Sequence, residues 1–282
     1  MKKFLVIIMQ WNIDSELMYN GPRIFNDFDL ADMQWYMDIT NPDCWDGTAI
    51  SNDPTTKLYN LADQTGTQYF RTYDSLGTSD NYALSREYIN RKYGTNGTAN
   101  TNWRSATDSG NLTVPSFDSG TTGQKSGMVF FKGSLGAGNQ GSQNIYLGGY
   151  NSRMSFAMAG SGTSNWGGLL IYDNSGNGSF MRTHSTTALM DGEWHSLGFT
   201  ATGGAVVTIN LYHDGVFVSG GTYSYDGKNL PNGNKRLIMG GWSTGYGEFT
   251  GDYGNWMWFN TELDATDFKQ IHNSFMNKYK NF

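Results

Sequence analysis

Apolar and polar positions alternate in short runs along most of this chain. Met33, Trp35 and Met37 alternate with Gln34, Tyr36 and Asp38. A period of two places each set on its own face of a half-buried strand. Further on, short apolar runs recur between Gly- and Asn-rich clusters. They predict strands at Leu112–Phe117, Gly127–Lys132, Asn144–Leu147, Arg153–Ala159, Leu169–Tyr172, His195–Thr200, Val206–His213, Val216–Val218, Arg236–Met239 and Tyr253–Phe259. Many short strands separated by turn residues indicate an all-β antiparallel sandwich. The sharpest local signal is Leu211-Tyr212-His213-Asp214-Gly215-Val216-Phe217-Val218. Asp-Gly between two apolar runs suits a type I′ turn, whose two central residues both need φ > 0.

The period lengthens at the end of the chain. Phe268, Ile271, His272 and Phe275 share one helical face, with Tyr279 further along it. Asp264 is placed to cap the amides of residues 266 and 267, and Asp267 adds negative charge to the first turn. Leu263 and Phe268 have the spacing of a hydrophobic staple. A helix near 264–279 therefore closes the sandwich.

Two stretches depart from this regularity. Residues 1–30 read as a separate attachment arm, with an apolar run Phe4–Met9 and a turn or linker at Gly21-Pro22-Arg23. The body then runs from 31 to 282. From about Asn41 to Gly127 the sequence is rich in Asn, Asp, Gly, Ser and Thr, the composition of elaborate surface loops. A helix-like piece is expected within it over Asp80–Tyr93, on the positions of Tyr82, Leu84, Tyr88, Ile89 and Tyr93.

Composition narrows the function classes. The chain has 282 residues, and 16% are charged against roughly 25% in an average globular protein. Aromatics make up 15%, ample for a large core. The net charge of −6 argues against nucleic acid or an anionic membrane as main partner. A single Cys44 excludes an internal disulfide and any paired-cysteine metal motif. No run approaches the roughly 20 apolar residues of a spanning helix, so membrane insertion is not expected. Phe4–Met9 is shorter than the apolar region of a signal peptide and lacks a small-residue cleavage site.

Five segments occur in a telling order: Asp191-Gly-Glu-Trp-His195, Leu211-Tyr-His-Asp-Gly215, Arg236-Leu-Ile-Met-Gly240, Phe249-Thr-Gly251 and Trp258-Phe-Asn-Thr-Glu-Leu263. Together they resemble the laminin-G-like branch of the concanavalin A-like lectin/glucanase superfamily. Upstream, Gly21-Pro-Arg-Ile24, Met33-Gln-Trp-Tyr-Met-Asp38 and Asn41-Pro42 are similar to the opening of such domains in tailed-bacteriophage virion proteins. Tyr59-Asn-Leu-Ala-Asp-Gln-Thr-Gly66 stands where a more regular motif follows in that group. The stretch Arg71–Asn111 has no counterpart and looks like a loop-rich insertion. The resemblance implies a jelly-roll sandwich of two antiparallel sheets. Its setting would be the surface of a phage particle, in a fibre, whisker or capsid decoration.

The superfamily includes glucanases, whose paired carboxylates stand on one strand about 5–5.5 Å apart. This chain has five glutamates, Glu16, Glu87, Glu193, Glu248 and Glu262, and none forms that pattern. Glu262-Leu-Asp-Ala-Thr-Asp267 imitates it across a strand-to-helix junction, where capping explains Asp264 and Asp267. No catalytic residue is expected. The histidines His184, His195, His213 and His272 show no metal or nucleophile spacing; His195 reads as structural and His213 as solvated. Calcium is the more plausible ion, with two candidate loops: Asp43-Cys-Trp-Asp46 together with Asn52-Asp53, and Asp173, Asn174 and Asn177 in a strand-connecting loop, a pattern that plain turns share. Trp103, Trp166, Trp242, Tyr246 and Tyr253 lie among Gly and Asn and are the candidates for stacking on sugar rings. The same rings could fill the core.

The leading expectation is a non-enzymatic virion surface protein. Its partners would be other virion proteins, further copies of itself and host surface glycans. The alternative is a secreted bacterial carbohydrate-binding or glycan-degrading protein.

Overall fold

A computed structural model of the chain describes residues 33–38, 41, 43–45, 57–63, 65–73, 82–84, 89–91, 102–107, 110–111, 123–134, 141–146, 154–161, 164–172, 178–184, 189, 191–203, 206–224, 238–239 and 251–279. Their strands are β1 (Met33–Met37), β2 (Lys57–Tyr59), β3 (Tyr69–Tyr73), β4 (Tyr82–Leu84), β5 (Ile89–Arg91), β6 (Asn102–Thr107), β7 (Gly110–Asn111), β8 (Gly123–Ser134) and β9 (Gly141–Tyr146). They continue with β10 (Met154–Ser161), β11 (Ser164–Tyr172), β12 (Gly178–His184), β13 (Asp191–Gly203), β14 (Val206–His213), β15 (Val216–Ser224), β16 (Ile238–Met239) and β17 (Gly251–Phe259). One helix, α1 (Ala265–Tyr279), follows.

All the pairings between these strands are antiparallel. An eight-stranded sheet has the order β15-β14-β13-β8-β17-β5-β4, with β1 also paired to β17. A four-stranded sheet runs β12-β11-β10-β9, and a five-stranded sheet runs β16-β6-β3-β2 with β7 on β6. The expected mostly antiparallel architecture with a C-terminal helix is thus present, its described strands falling into three sheets where two were expected.

The large sheet is buried on both faces at its centre. Along β13, Trp194, Ser196, Gly198 and Thr200 alternate with Leu197, Phe199 and Ala201, and all of them are buried. Helix α1 covers the first set. Its Phe268, Ile271, Phe275 and Tyr279 are each at most 1% exposed. Burying such a side chain stabilises by roughly 1.5–3 kcal/mol. Phe268 stacks on Tyr212 with ring centroids 4.0 Å apart, and Tyr279 stacks on Trp194 at 4.2 Å. Gly198 makes room for this, because a Cβ there would lie 2.5 Å from the Phe268 ring. On the opposite face, Phe199 meets Trp258 edge-on at 5.3 Å.

The helix starts as its sequence predicts. Asp264 Oδ1 accepts the amides of Thr266 and Asp267 at 2.6 and 3.0 Å, and Asp267 Oδ2 accepts the Asp264 amide at 2.8 Å. Leu263 and Phe268 lie in one buried cluster, as a staple requires. The helix ends on a polar lock: the Tyr279 hydroxyl accepts the Asn255 amide at 2.7 Å and donates to Asn255 Oδ1.

At the other edge of the described body, Asn60 joins three segments. Its Oδ1 accepts the amides of Tyr36 and Ala62, at 2.9 and 3.0 Å. Its Nδ2 donates to Gln34 O and Gln68 Oε1, both at 3.0 Å. Asp63 then organises the turn that follows, accepting the amides of Thr65, Thr67 and Gln68.

One expected element is overturned. The helix-like piece at Asp80–Tyr93 contains instead the strands β4 and β5, paired antiparallel through Ala83↔Asn90. Tyr82, Leu84 and Ile89 are good strand formers, and pairing of β5 with β17 outweighs their helical spacing. The stretch 71–111 is accordingly more than loop, since β4 and β5 join the large sheet and β6 and β7 the five-stranded one. The arm 1–30 and the expected strand Leu112–Phe117 lie outside the described residues.

Candidate functional site

The β14–β15 hairpin turns at Asp214 and Gly215 with φ of 50° and 72°. Both are positive, as the type I′ geometry demands. Gly215 is also pressed against α1: a Cβ there would lie 2.9 Å from the Lys269 Cα and from the Phe268 carbonyl oxygen. The turn is thereby held in a fixed position between the sheet and the helix.

This fixed turn presents Asp214 to two histidines. Asp214 Oδ2 lies 3.0 Å from His195 Nδ1 and 3.3 Å from His213 Nε2. Its other oxygen, Oδ1, accepts the Ser196 amide at 2.9 Å. The far nitrogen of His195, Nε2, meets Asp191 Oδ1 at 3.0 Å, and Asp191 is itself oriented by the Glu193 amide. On the helix side of the sheet, Ser196 Oγ is 2.8 Å from His272 Nδ1. Three of the four histidines therefore gather at one end of the hairpin.

Their electrostatics differ by environment. Burial lowers the His195 pKa, but hydrogen bonds to Asp214 and Asp191 outweigh it, and the net shift is upward. Burial dominates at His213 and leaves its pKa lowered. Burial dominates more strongly at His272, pushing it down to about 4 against the opposing pull of Asp214. Burial raises the Asp214 carboxyl, yet His195, the Ser196 amide and the His213 charge hold it below its ordinary value.

His213 was expected to be solvated; its side chain is only 20% exposed and its Nε2 is buried. It lies on the last position of β14, opposite Leu197 of β13, with the His195 ring 5.6 Å away and the Asp214 carboxylate beside its Nε2. Spacing along the chain could not reveal the cluster. The signal present was the hairpin register, which brings residues on either side of the turn back to the start of β13.

The described surface carries one apolar feature beside this turn. Val216, Phe217 and Val218 are 52%, 51% and 42% exposed, on the terminal strand of the large sheet. The Phe217 ring touches Tyr212 edge-on at 5.9 Å and so is partly fixed.

The sequence-predicted sugar-contacting residues are dispersed. Trp103 lies on β6 of the five-stranded sheet, Trp166 on β11 of the four-stranded sheet and Tyr253 on β17 of the large one. Trp242, Tyr246 and the calcium candidates Asp173, Asn174 and Asn177 lie outside the described residues. Glu262 is exposed, and the nearby Asp264 and Asp267 are engaged in the helix cap.

No protein-family profile and no curated protein matches the chain. Solved structures do. The receptor-binding domain of botulinum neurotoxin D is similar with a TM-score of 0.57 and 10% identity, over 88% of this chain and 54% of that one. The binding domain of paraclostridial mosquitocidal protein 1 gives 0.56 and 11%, over 88% and 53%. The botulinum neurotoxin serotype D ligand-binding domain in complex with N-acetylneuraminic acid gives 0.54 and 10%, over 86% and 51%. The chain spans about half the length of these structures. At such identity the likeness establishes the fold, a mostly antiparallel β architecture with a C-terminal helix, like that of these receptor-binding domains. It lends no support to a phage-particle setting.

Proposed function

We propose that the chain is a non-catalytic receptor-binding module that recognises carbohydrate. The observation that carries this reading is the exposed Val216-Phe217-Val218 segment beside a rigid turn. A partly fixed aromatic ring can stack on the apolar side of a pyranose at reduced entropic cost, while neighbouring polar groups take the hydroxyls. The resemblance of the fold to toxin binding domains, one of them bound to a sialic acid, supports the same reading. Trp103, Trp166, Trp242, Tyr246 and Tyr253 are the further aromatic contacts to test.

The test is binding to an array of sialylated and neutral glycans, followed by alanine replacement. Phe217→Ala should weaken binding at least tenfold with an unchanged melting temperature. Absence of binding to every glycan, or binding that survives Phe217→Ala together with all five further replacements, overturns the proposal. The narrower setting, display on a phage particle with residues 1–30 as the attaching arm, is supported only by the motif resemblance from Gly21 to Pro42. Co-purification with particles is its test.

A further inference from the structure

The hydrogen bonds of the hairpin cluster explain most of its members as struts. His195 spans Asp214 and Asp191, and Asp214 also receives the Ser196 amide. That account leaves out His213. Its Nε2 is buried and makes no hydrogen bond, although it lies 3.3 Å from the same carboxylate oxygen that His195 uses. A buried imidazole nitrogen without a hydrogen-bond partner loses the bond it made with water, and the Asp214 contact lacks the geometry to replace it.

We propose that His195 Nδ1, His213 Nε2 and Asp214 Oδ2 form a binding site for a divalent transition-metal ion of the zinc class. The three atoms lie within 4.8 Å of one another. Donors held about 2.0–2.2 Å from a tetrahedral zinc are about 3.3 Å apart. The two distances to Asp214 Oδ2, 3.0 and 3.3 Å, match that edge. Two imidazoles and one carboxylate suit zinc and its neighbours, whereas calcium takes six to eight oxygens.

The surroundings provide what such a site needs beyond its ligands. Asp191 holds the far nitrogen of His195, the carboxylate–histidine arrangement that orients a metal-binding ring. The Ser196 amide occupies Asp214 Oδ1 and leaves Oδ2 for the ion. The positive φ at both turn residues and the helix behind Gly215 fix the carboxylate in place. On binding, the ion takes the place of the proton between His195 Nδ1 and Asp214 Oδ2, which leaves to solvent. Asp214 remains 34% exposed, so a fourth position is open to water or to a donor from another molecule.

The site is distinct from the proposed glycan contact and is tested apart from it. Untagged, metal-stripped protein should bind one zinc ion per chain at micromolar or lower concentration by calorimetry. Cobalt in its place should show the intense visible bands of tetrahedral coordination. Zinc should raise the melting temperature by several degrees. His213→Ala should leave the metal-free melting temperature near that of the wild type. It should weaken zinc binding by more than about a hundredfold, beyond the loss expected from an outer partner. Asp191→Asn should weaken it by about ten- to a hundredfold, and His184→Ala should leave it unchanged. If His213→Ala does not fold, His213→Phe with the same readouts replaces it. No binding by the wild type, binding unaffected at position 213, or loss on replacing His184 instead would overturn the assignment.

Discussion

Asn60 is the most informative side chain to remove from the core of this fold. It is 2% exposed and makes four side-chain hydrogen bonds to three separate segments. The Tyr36 amide bond is fully buried, and losing a buried partner costs about 1–3 kcal/mol. The other three are part-buried, where water can substitute, and each contributes about 0.5–1 kcal/mol. Asn60→Ala should therefore destabilise by about 2.5–6 kcal/mol, a large share of the 5–15 kcal/mol typical of a folded domain. Asn60→Asp keeps the shape and both accepted bonds. It turns the donating edge into a carboxylate oxygen facing Gln34 O and Gln68 Oε1, so it should be at least as damaging near neutral pH. Urea unfolding followed by tryptophan fluorescence reads both. With a slope near 3 kcal/mol/M, the midpoint should fall by about 1 M or more at unchanged slope. A loss below about 1 kcal/mol for Asn60→Ala, or an aspartate variant as stable as the wild type, would refute the hub described above.

Other outcomes follow from the hairpin and the helix. Gly215→Ala should lower the melting temperature markedly, because it combines an unfavourable φ of 72° with overlap against the α1 backbone; an unchanged midpoint would contradict that packing. Asp264→Ala should lower it modestly through the lost cap, and Asp264→Asn or Asp264→Ser should restore most of the difference. His272 is held neutral in the fold down to about 4, while an unfolded imidazole titrates near 6.5. The unfolded chain thus takes up the proton first as pH falls. The His272 contribution is complete above pH 6.5 and is lost on descent toward 4. In chelator, His272→Asn should flatten the decline in melting temperature across that window, and an identical decline would argue against a neutral His272.

The parts of this molecule legible in its sequence are those governed by nearby residues. The Asp214-Gly215 turn was readable because positive φ at two adjacent positions leaves few residue choices. The start of α1 was readable because capping acts across three residues. Long buried strands such as β13 and β17 announced themselves through their apolar runs, though β13 extends beyond His195–Thr200 at both ends. Strands β4 and β5 did not, since Tyr82, Leu84 and Ile89 fit either period and only the partner β17 decides between them. Strand β12 was missed because Gly178–His184 has few apolar residues, and its pairing with β11 is what makes it a strand. The Asn60 hub was visible only as an irregular motif. The histidine cluster was invisible to spacing, because register between β13 and β14 assembles it from residues 195, 213 and 214.

The position of β8 sets the order in which this chain acquires structure. It lies between β13 and β17, paired to β13 from Gly123 to Ser134 and to β17 from Ser126 to Gly133. During synthesis the β13–β15 side follows soon after β8 and can zip onto it within about a hundred residues. The β17 side cannot close until residues 251–259 have left the ribosome, and β1, made more than two hundred residues earlier, waits for the same strand. Such non-local pairing is slow and leaves strand edges open to foreign strands in the meantime. A ribosome stalled before Gly251 would therefore hold a half-zipped sheet with apolar Met128 and Phe130 uncovered. Residues 251–279 act as the closing step for the large sheet, supplying in one passage its missing central strand and the helix that covers it.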